Sequence, residues 1–286
     1  MELIKDLKYR YKKLDILSQL IVIMILCFAA PFIINTILFL FDLSGFSIIS
    51  IFDVSPSFGD LLFKPWSLIT YGFFHVDLWH LIGNMIILYF SGRVVLDLFG
   101  KDKFIKIFII GLLSGSVIYL LSYNIFPVFS GHKPSMIGAS AGVMAIFIFL
   151  ASYTPNFTFR LILFDVKIMY LALFLVIMDL IQIPVGNSGG HLAHLGGAAW
   201  GYYYHNQIKQ GRDIGQWVMN ILNFLKTLFL KKRKVKRVYK KKSFKTSSKS
   251  NIDQQKIDLI LDKISKSGYD SLTKSEKDTL FKAGQN

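Results

Sequence analysis

The chain has 286 residues, of which 53% are hydrophobic and 18% charged, and its mean hydropathy is +0.47. Soluble domains seldom reach that hydropathy, so the composition indicates a membrane protein. The net charge is +15, and about +12 of it follows residue 210, where 19 Lys and Arg residues oppose 7 Asp and Glu residues. The chain therefore divides into an apolar body and a basic tail. Its single cysteine, Cys27, excludes an intrachain disulfide and a cysteine metal cluster.

Residues 1–17 form a basic N-terminal segment that is too long and too charged for a typical signal peptide, so we expect the apolar run behind it to be retained. A bilayer core of about 30 Å needs roughly 20 apolar helical residues. Runs of about that kind lie at 16–41, 78–95, 107–125, 135–153, 168–184 and 190–204. The sequence thus predicts an all-α, polytopic membrane protein with a six-helix core over residues 18–209.

Lysine and arginine residues mark one side of this bundle. They cluster in the N-terminal segment, in the second-to-third and fourth-to-fifth connections, and in the tail. With six spans all of these segments lie on one side, and the positive-inside rule makes that side the cytoplasm. We therefore expect both termini to be cytoplasmic. Compact length and the absence of an organelle-targeting segment favour a bacterial inner (plasma) membrane.

Residues 210–250 are predicted to form an interfacial helix and a basic linker. The stretch 214–230 could be a seventh span, but its Gln, Asn and Lys residues favour an amphipathic helix on the membrane surface. Ten Lys and Arg residues follow between Lys231 and Lys245, and beside a membrane they favour anionic lipid over nucleic acid. Residues 251–286 are predicted to form a small helical hairpin, with Thr273 and Glu276 as a capping box.

Polar residues inside the apolar runs are costly and therefore informative about function. His80 and Asn84 share one face of the second run, Ser140 lies in the fourth, and His194 lies in the sixth. In the six-span topology all three runs enter from the outer face, so these residues lie at similar depths. A serine hydroxyl needs a base to become a nucleophile, histidine is suited to that role, and Asn and His can stabilise an oxyanion.

Each of these residues alone also has a structural interpretation. A lone serine in a membrane helix usually bonds to its own backbone, and a lone histidine near a helix end is more often an interfacial group. Only the combination of depth, side and residue type favours catalysis.

Three stretches of sequence resemble the motifs of the rhomboid intramembrane serine protease family. Residues 75–84 (HVDLWHLIGN) resemble its HxxxxHxxxN pattern, residues 138–141 (GASA) its GxSx motif, and residues 193–201 (AHLGGAAWG) its AHxxGxxxG motif. The resemblance covers about residues 18–209. It implies a serine endopeptidase that cleaves transmembrane protein substrates near the outer membrane face without a cofactor.

The resemblance also implies a role for each matching residue. Ser140 is the nucleophile and His194 the general base, and His80 and Asn84 form the oxyanion site with the backbone N–H of Ser140. Residues that support the site are Gly138, Gly142, Met144, Gly197, Gly201 and His75. Residues 42–77 resemble the family's large first outer loop, and the fifth span resembles its mobile gate.

Asp179 and His191 have no role in that pattern. Asp179 could be a third catalytic member that orients His194, could pair with His191, or could line a water-filled cavity. His191 and His194 form an HxxH pair, but without HExxH or a cysteine partner we expect no metal. The alternative function is an inactive rhomboid-like protein that binds membrane-protein clients. A transporter would require internal repeats, which the sequence does not show.

Overall fold

The computed structural model of the chain describes residues 2–43, 47–161, 164–229 and 248–284. It is mostly helical and divides into two compact units, Met1–Lys231 and Lys232–Asn286. Helices of the first unit are α1 (Glu2–Lys13), α2 (Ile16–Leu40), α3 (Phe58–Phe63), α4 (Ser67–Thr70), α5 (Leu78–Ile125), α6 (Ser140–Tyr153), α7 (Ile168–Gln182), α8 (Ser188–Lys209) and α9 (Gln216–Phe229). Short 3₁₀ turns occupy Ile48–Ile51, Tyr71–Phe73 and Pro127–Phe129.

The 48-residue helix α5 covers two of the predicted spans. A straight helix of that length would measure roughly 72 Å, more than twice the thickness of a hydrocarbon core. Its backbone leaves the helical conformation at Gly100, where φ is 77° and ψ is 172°. The two limbs pack closely on one another. A Cβ atom added at Gly92 of the first limb would lie only 3.0 Å from the ring of Phe104 in the second. Glycine is needed at position 100 because other residues rarely adopt that φ.

Among the described residues, two helices are long and apolar enough to cross a membrane, Ile16–Leu40 and Leu78–Ile125. Two shorter apolar helices, Ser140–Tyr153 and Ile168–Gln182, accompany them. The predicted count of six spans and the side on which the tail lies stay predictions.

The core of the first unit is a three-helix contact between the second limb of α5, α6 and α8. All residues of α6 from Ala141 to Ala151 are buried. Small residues allow this packing, since a Cβ atom at Gly111 or Gly115 would collide with an alanine of α6. The Ser114 hydroxyl also donates a hydrogen bond of 2.8 Å to the Gly196 carbonyl and so joins α5 to α8.

The described residues are mostly helical, as predicted, and they also contain one short β-hairpin, which the prediction of an all-α chain did not include. Strands β1 (Thr158–Leu161) and β2 (Phe164–Lys167) pair antiparallel between α6 and α7, with Thr158 opposite Lys167. This connection lies between two apolar helices, and its strands of four residues are too short for a clear alternating pattern. The sequence therefore marked this segment only as a connection between two spans, with Arg160 and Lys167 as its basic residues.

The segment before α6 is extended rather than helical, so the predicted fourth span begins five residues too early. Met136 and Val54 exchange two backbone hydrogen bonds of 3.0 and 3.1 Å, which hold the segment against the first loop. That loop is fixed in turn by a Lys64–Asp53 ion pair of 3.0 Å and by the Trp66 indole, which donates to the Ile51 carbonyl. Ser140 therefore becomes the first residue of its helix.

Helix α9 coincides with the predicted amphipathic segment, and Val218 and Met219 bury part of its apolar face. The loop before it is tied to the core by Asp213, which binds the buried Lys106 ammonium of α5 and accepts a hydrogen bond of 2.7 Å from the Tyr204 hydroxyl. The basic run 231–245 lies outside the described residues, and its binding to anionic lipid stays a prediction.

The second unit contains α10 (Ser248–Ser267), a 3₁₀ turn (Tyr269–Ser271) and α11 (Lys274–Ala283). The predicted capping box is present: Thr273 accepts from the Glu276 backbone N–H, and Glu276 accepts from the Thr273 N–H at 2.7 Å. Lys263 of α10 donates to both Glu276 oxygens at 2.9 Å. These bonds join the two helices of the hairpin.

Replacing Gly197 by alanine tests the contact between α8 and α6. A Cβ atom there would overlap the Ala141 carbonyl, so the helices must separate, and overpacking of this kind costs about 1–3 kcal/mol. We expect a lower midpoint for thermal unfolding of the full-length protein in detergent. Gly83→Ala is the control, because its Cβ would meet nothing within 4 Å. Equal midpoints for the two variants would contradict the packing.

The hydrogen bonds from Lys263 and Thr273 lower the pKa of Glu276 from 4.5 to about 2. A lowered carboxyl pKa contributes stability above the ordinary pKa, and this contribution is lost as pH falls from about 4.5 towards 2. We expect Glu276→Gln to reduce amide hydrogen-exchange protection of α11 at pH 6, with the difference from wild type vanishing near pH 2. Asp278→Asn, at an exposed site on the same helix, should have little effect. A difference independent of pH would refute this account.

Candidate active site

A cavity of about 390 Å³ opens where α5, α6 and α8 begin. The glycine contacts between α6 and α8 align the starts of these two helices. The bend at Gly100 reverses α5, so that its second limb returns to the end of the bundle at which α5 begins. Its lining residues are Tyr71, Val76, Asp77, His80, Ser135, Met136, Ile137, Gly138, Ser140, Asn187, Gly190, Ala193 and His194. Three of the four residues predicted to take part in catalysis or oxyanion binding therefore line one cavity: Ser140, His194 and His80.

Ser140 is the first residue of α6, and the backbone in front of it is held firmly. The Gly138 N–H donates to the Tyr71 carbonyl at 3.0 Å, and the Ala139 N–H donates to Nε2 of His75 at 3.4 Å. The first N–H groups of a helix have no partner within it and carry partial positive charge. The serine hydroxyl therefore lies at a helix end suited to a developing negative charge.

Gly138 gives the His80 ring its place beside Ser140. Its φ is 138°, which side-chain-bearing residues rarely adopt. A Cβ atom at this position would lie 2.7 Å from Cε1 and 3.0 Å from Nε2 of His80, and 3.7 Å from the Ser140 Oγ. The imidazole and the hydroxyl thus flank the same small space.

His194 takes its position from glycines one and two turns farther along α8. Gly197 contacts the Ala141 carbonyl, and Gly201 contacts the Ala145 carbonyl, so closely that a Cβ atom would overlap either oxygen. These contacts align the start of α8 with the start of α6. His194 and Ser140 precede the first pair of contacts on their respective helices, and both line the cavity.

Asn84 does not line this cavity in the described part of the chain. It is buried, and its amide donates to the His80 carbonyl one turn back at 2.8 Å. His80 itself is fixed at its backbone by Asp77, whose carboxylate accepts from the His80 N–H at 2.8 Å. The structure therefore brings His80 to the site directly and places Asn84 behind it, where its predicted oxyanion role stays a prediction.

The other predicted support residues lie under the site. His75 is buried and packs edge-on against the His80 ring with 5.1 Å between ring centroids. Gly142 allows close approach of the Phe108 ring, since a Cβ atom there would lie 2.7 Å from it. Met144 is buried within α6, and the described cavity wall does not include it.

Asp179 of α7 joins the site through both histidines of α8. Its Oδ1 atom lies 2.8 Å from Nδ1 of His194 and 2.8 Å from Nδ1 of His191, and only 7% of the residue is exposed. The potential ligand atoms of the three residues lie within 4.8 Å of one another. The two nitrogen–oxygen separations of 2.8 Å are within hydrogen-bond range, and both use the Nδ1 atom of a histidine.

Several contributors were missed by sequence reasoning. Tyr71 donates its hydroxyl to the Leu112 carbonyl at 2.8 Å while its carbonyl accepts from Gly138, and no sequence signal marks this long-range contact. Asn187 lines the cavity in a left-handed conformation with φ of 48°. Asp77 was detectable, because an Asp directly before an apolar helical run is a typical N-cap.

Residues 63–208, just over half of the chain, match the family model described as Rhomboid domain. The chain belongs to the rhomboid family. Residues 244–283 match a second model, described as a family of unknown function.

Relatives among curated proteins carry the same family word in their names. The chain is 36% identical over 158 residues to RHOMBOID-like protein 12, mitochondrial, of Arabidopsis thaliana, covering 51% of this chain and 47% of that protein. It is 28% identical over 137 residues to Presenilin-associated rhomboid-like protein A, mitochondrial, of Danio rerio, covering 46% and 34%. A rat protein of similar name is 26% identical over 162 residues, covering 54% and 41%. The chain thus matches less than half the length of these relatives.

These relatives contradict the predicted location in a bacterial inner membrane, because their names place them in mitochondria of a plant, a fish and a rodent. That prediction rested on compact length and on the absence of a recognised organelle-targeting segment, and neither feature identifies a membrane. The asymmetry of Lys and Arg residues orients helices across a membrane but does not identify the membrane either.

Replacing Gly138 by alanine should displace the His80 ring and slow the modification of Ser140 by a fluorophosphonate probe by at least about tenfold. The reason is that a displacement of about 1 Å in a site of this kind can lower a reaction rate about 100-fold. Gly131→Ala is the control, because its φ of 80° is also positive while its Cβ would meet nothing within 4 Å. We expect both variants to be less stable and only the first to lose reactivity. Equal labelling rates would contradict this arrangement.

Proposed function

We propose that this chain is an intramembrane serine endopeptidase that cleaves transmembrane protein substrates near the membrane face on which its cavity opens. The observation that carries the proposal is the placement of Ser140 and His194 on one cavity at the aligned starts of α6 and α8. Membership of the rhomboid family, whose proteases the sequence motifs resemble, supports the same reaction. The cavity's residues offer a nucleophile, a base and hydrogen-bond donors, and the proposed reaction needs no cofactor.

In the proposed reaction His194 accepts the Ser140 proton as Oγ attacks the scissile carbonyl carbon. The carbonyl electron pair moves to oxygen, where the N–H at the start of α6 and the His80 side chain stabilise it. His194 then gives the proton to the leaving amine as the C–N bond breaks. Water then attacks the acyl carbon while His194 takes a proton from it. The bond from that carbon to the Ser140 Oγ breaks, His194 returns the proton to Oγ, and the second product leaves as a carboxylic acid.

The substrate is proposed from the surroundings of the cavity. Large apolar side chains of α7 beside the site are exposed, including Leu173, Phe174, Ile177 and Leu180. Such a face suits contact with lipid or with an apolar helix. A transmembrane segment that unwinds locally at small residues could present its backbone to the cavity. The basic run 231–245 is proposed to bind anionic lipid.

Purified full-length protein in liposomes should cleave a model transmembrane substrate. Ser140→Ala and His194→Ala should each lower kcat by at least about 10³-fold, because removal of either member disables the nucleophile. Ser152→Ala is a control on the same helix, where the hydroxyl bonds to the Ile148 carbonyl, and should retain activity. Mass spectrometry identifies the cleaved bond, and a fluorophosphonate probe should label Ser140.

The competing function is client binding by an inactive rhomboid-like protein. That function predicts stable capture of the substrate by wild type and by Ser140→Ala alike, without cleavage. Equal behaviour of the two proteins across several substrates with small, helix-destabilising residues, together with no probe labelling, would refute the protease.

A further inference from the structure

We propose that Asp179 is a positioning residue for His194, so that this chain works with a Ser140–His194–Asp179 arrangement rather than with a serine and a histidine alone. The inference rests on the proposed protease function and deepens it. The observation is the 2.8 Å separation of the Asp179 Oδ1 and the His194 Nδ1 in a nearly closed environment. The Asp179 side chain is 10% exposed and that of His194 is 21% exposed.

The hydrogen bond determines which nitrogen of His194 is available. An ionised carboxylate can only accept, so the His194 Nδ1 must carry the hydrogen that bonds to it. Neutral imidazole with Nδ1–H leaves Nε2 as its acceptor. With the hydrogen on Nδ1, the free Nε2 can accept the Ser140 proton. In the other tautomer Nε2 carries the hydrogen and would face the serine O–H as a second donor.

The carboxylate also stabilises the charge that the reaction creates. When His194 takes the Ser140 proton it becomes an imidazolium, and a charge-assisted bond to Asp179 strengthens at that moment. Asp179 keeps no proton of its own in this scheme. The proton moves between Ser140, His194 and the leaving amine, and the bond to Asp179 is maintained throughout.

The fold holds Asp179 in place from both sides. Asp179 is near the end of α7, and only a short connection separates that helix from α8. The Ser188 hydroxyl donates to the Ile183 carbonyl at 2.6 Å within this connection. His191, one turn before His194, donates from Nδ1 to the same Asp179 oxygen at 2.8 Å. Two histidines therefore fix one carboxylate oxygen, and only His194 of the two lines the described cavity wall.

The groups that face His194 come from each neighbouring element. Asp179 comes from α7, His191 from α8 itself, His80 from α5 and the Ser140 hydroxyl from α6. Asp77 lines the same cavity beside His80, and Asp179 is the carboxylate within hydrogen-bond distance of His194. Removing it should therefore change the pH dependence of the reaction as well as its rate.

The first experiment reads the hydrogen bond without requiring activity. Full-length protein with ¹⁵N-labelled histidine is examined in detergent by NMR, and His194→Gln assigns the signals. We expect wild-type His194 as the Nδ1–H tautomer with a low-field proton, and loss of that proton in Asp179→Asn. A wild-type His194 in the Nε2–H tautomer would overturn the inference even if the enzyme cleaves substrate. The tautomer is equally decisive if no cleavage is found, so failure of the protease function is distinguished.

The second experiment measures catalysis on the same preparations. Asp179→Asn should lower kcat about 10- to 100-fold, the range for a lost hydrogen bond to a charged group, with KM changed less than about threefold. The acidic limb of its pH–rate profile should move to lower pH, and Asp179→Glu should restore part of the rate. Asp165→Asn, in the exposed pair with Arg160, is the matched control and should behave as wild type.

Two outcomes of these measurements would overturn the inference. A loss in His191→Gln equal to that in Asp179→Asn, with unchanged pH profiles, would mean that the carboxylate serves packing through His191. A wild-type rate that is abolished by chelator and restored by zinc would mean that the three groups are metal ligands. The inference expects His191→Gln to cost less than Asp179→Asn, and the rate to be insensitive to chelator.

Discussion

The backbone contact between α6 and α8 is the constraint on which the site depends. Gly197 and Gly201 bring α8 against the carbonyl oxygens of Ala141 and Ala145, and no side chain could be inserted between them. Membrane helices associate through such close packing, because lipid supplies no hydrophobic force to press them together. The same two contacts determine the relative height of the helices. They therefore place a serine and a histidine, distant in sequence, at one end of the bundle.

Around this contact several buried polar groups are joined by hydrogen bonds, although among the described residues Nδ1 of His75 has no partner. Tyr71 bonds at both its hydroxyl and its carbonyl, His75 accepts from the backbone before Ser140, and Asp77 fixes the start of α5. An unpaired polar group in a low-dielectric interior costs more than a hydrogen bond gains. Such a network favours one arrangement of the loop before Ser140, so the start of α6 is held by residues outside the proposed catalytic pair.

Much of the helical body could be predicted from sequence because apolar length and Gly spacing act locally. The runs that became α2, α7 and α8 were bounded to within a few residues, and the Thr273 capping box followed from two side chains. The break near Gly100 was also predicted, as the connection between runs 78–95 and 107–125, whereas the extended residues before Ser140 depend on contacts with the distant Val54 and Tyr71. The hairpin 158–167 was missed for the same reason, since four-residue strands carry almost no periodic signal.

The site divides in a similar way. Ser140, His194 and His80 were identifiable because polar groups in apolar helices are rare, and a common topology put them at one depth. Topology gives depth but not direction, so it could not show that Asn84 bonds to the His80 carbonyl instead of lining the cavity. Nor could it decide among three interpretations of Asp179, because the choice depends on where α7 leans against α8.

Asp213 links α8 to α5 at a site away from the cavity. It holds the C-terminal end of α8, through Tyr204, to the buried Lys106 ammonium of α5. α8 is thereby held at two places, by Gly197 and Gly201 against α6 and, one turn farther along, by Tyr204 against Asp213. A rod fixed at two points cannot slide or rotate at one without disturbing the other. Substitutions that displace the His194 side chain should therefore cluster in two places. One is the cavity, and the other is the contact of Asp213 with Tyr204 and Lys106.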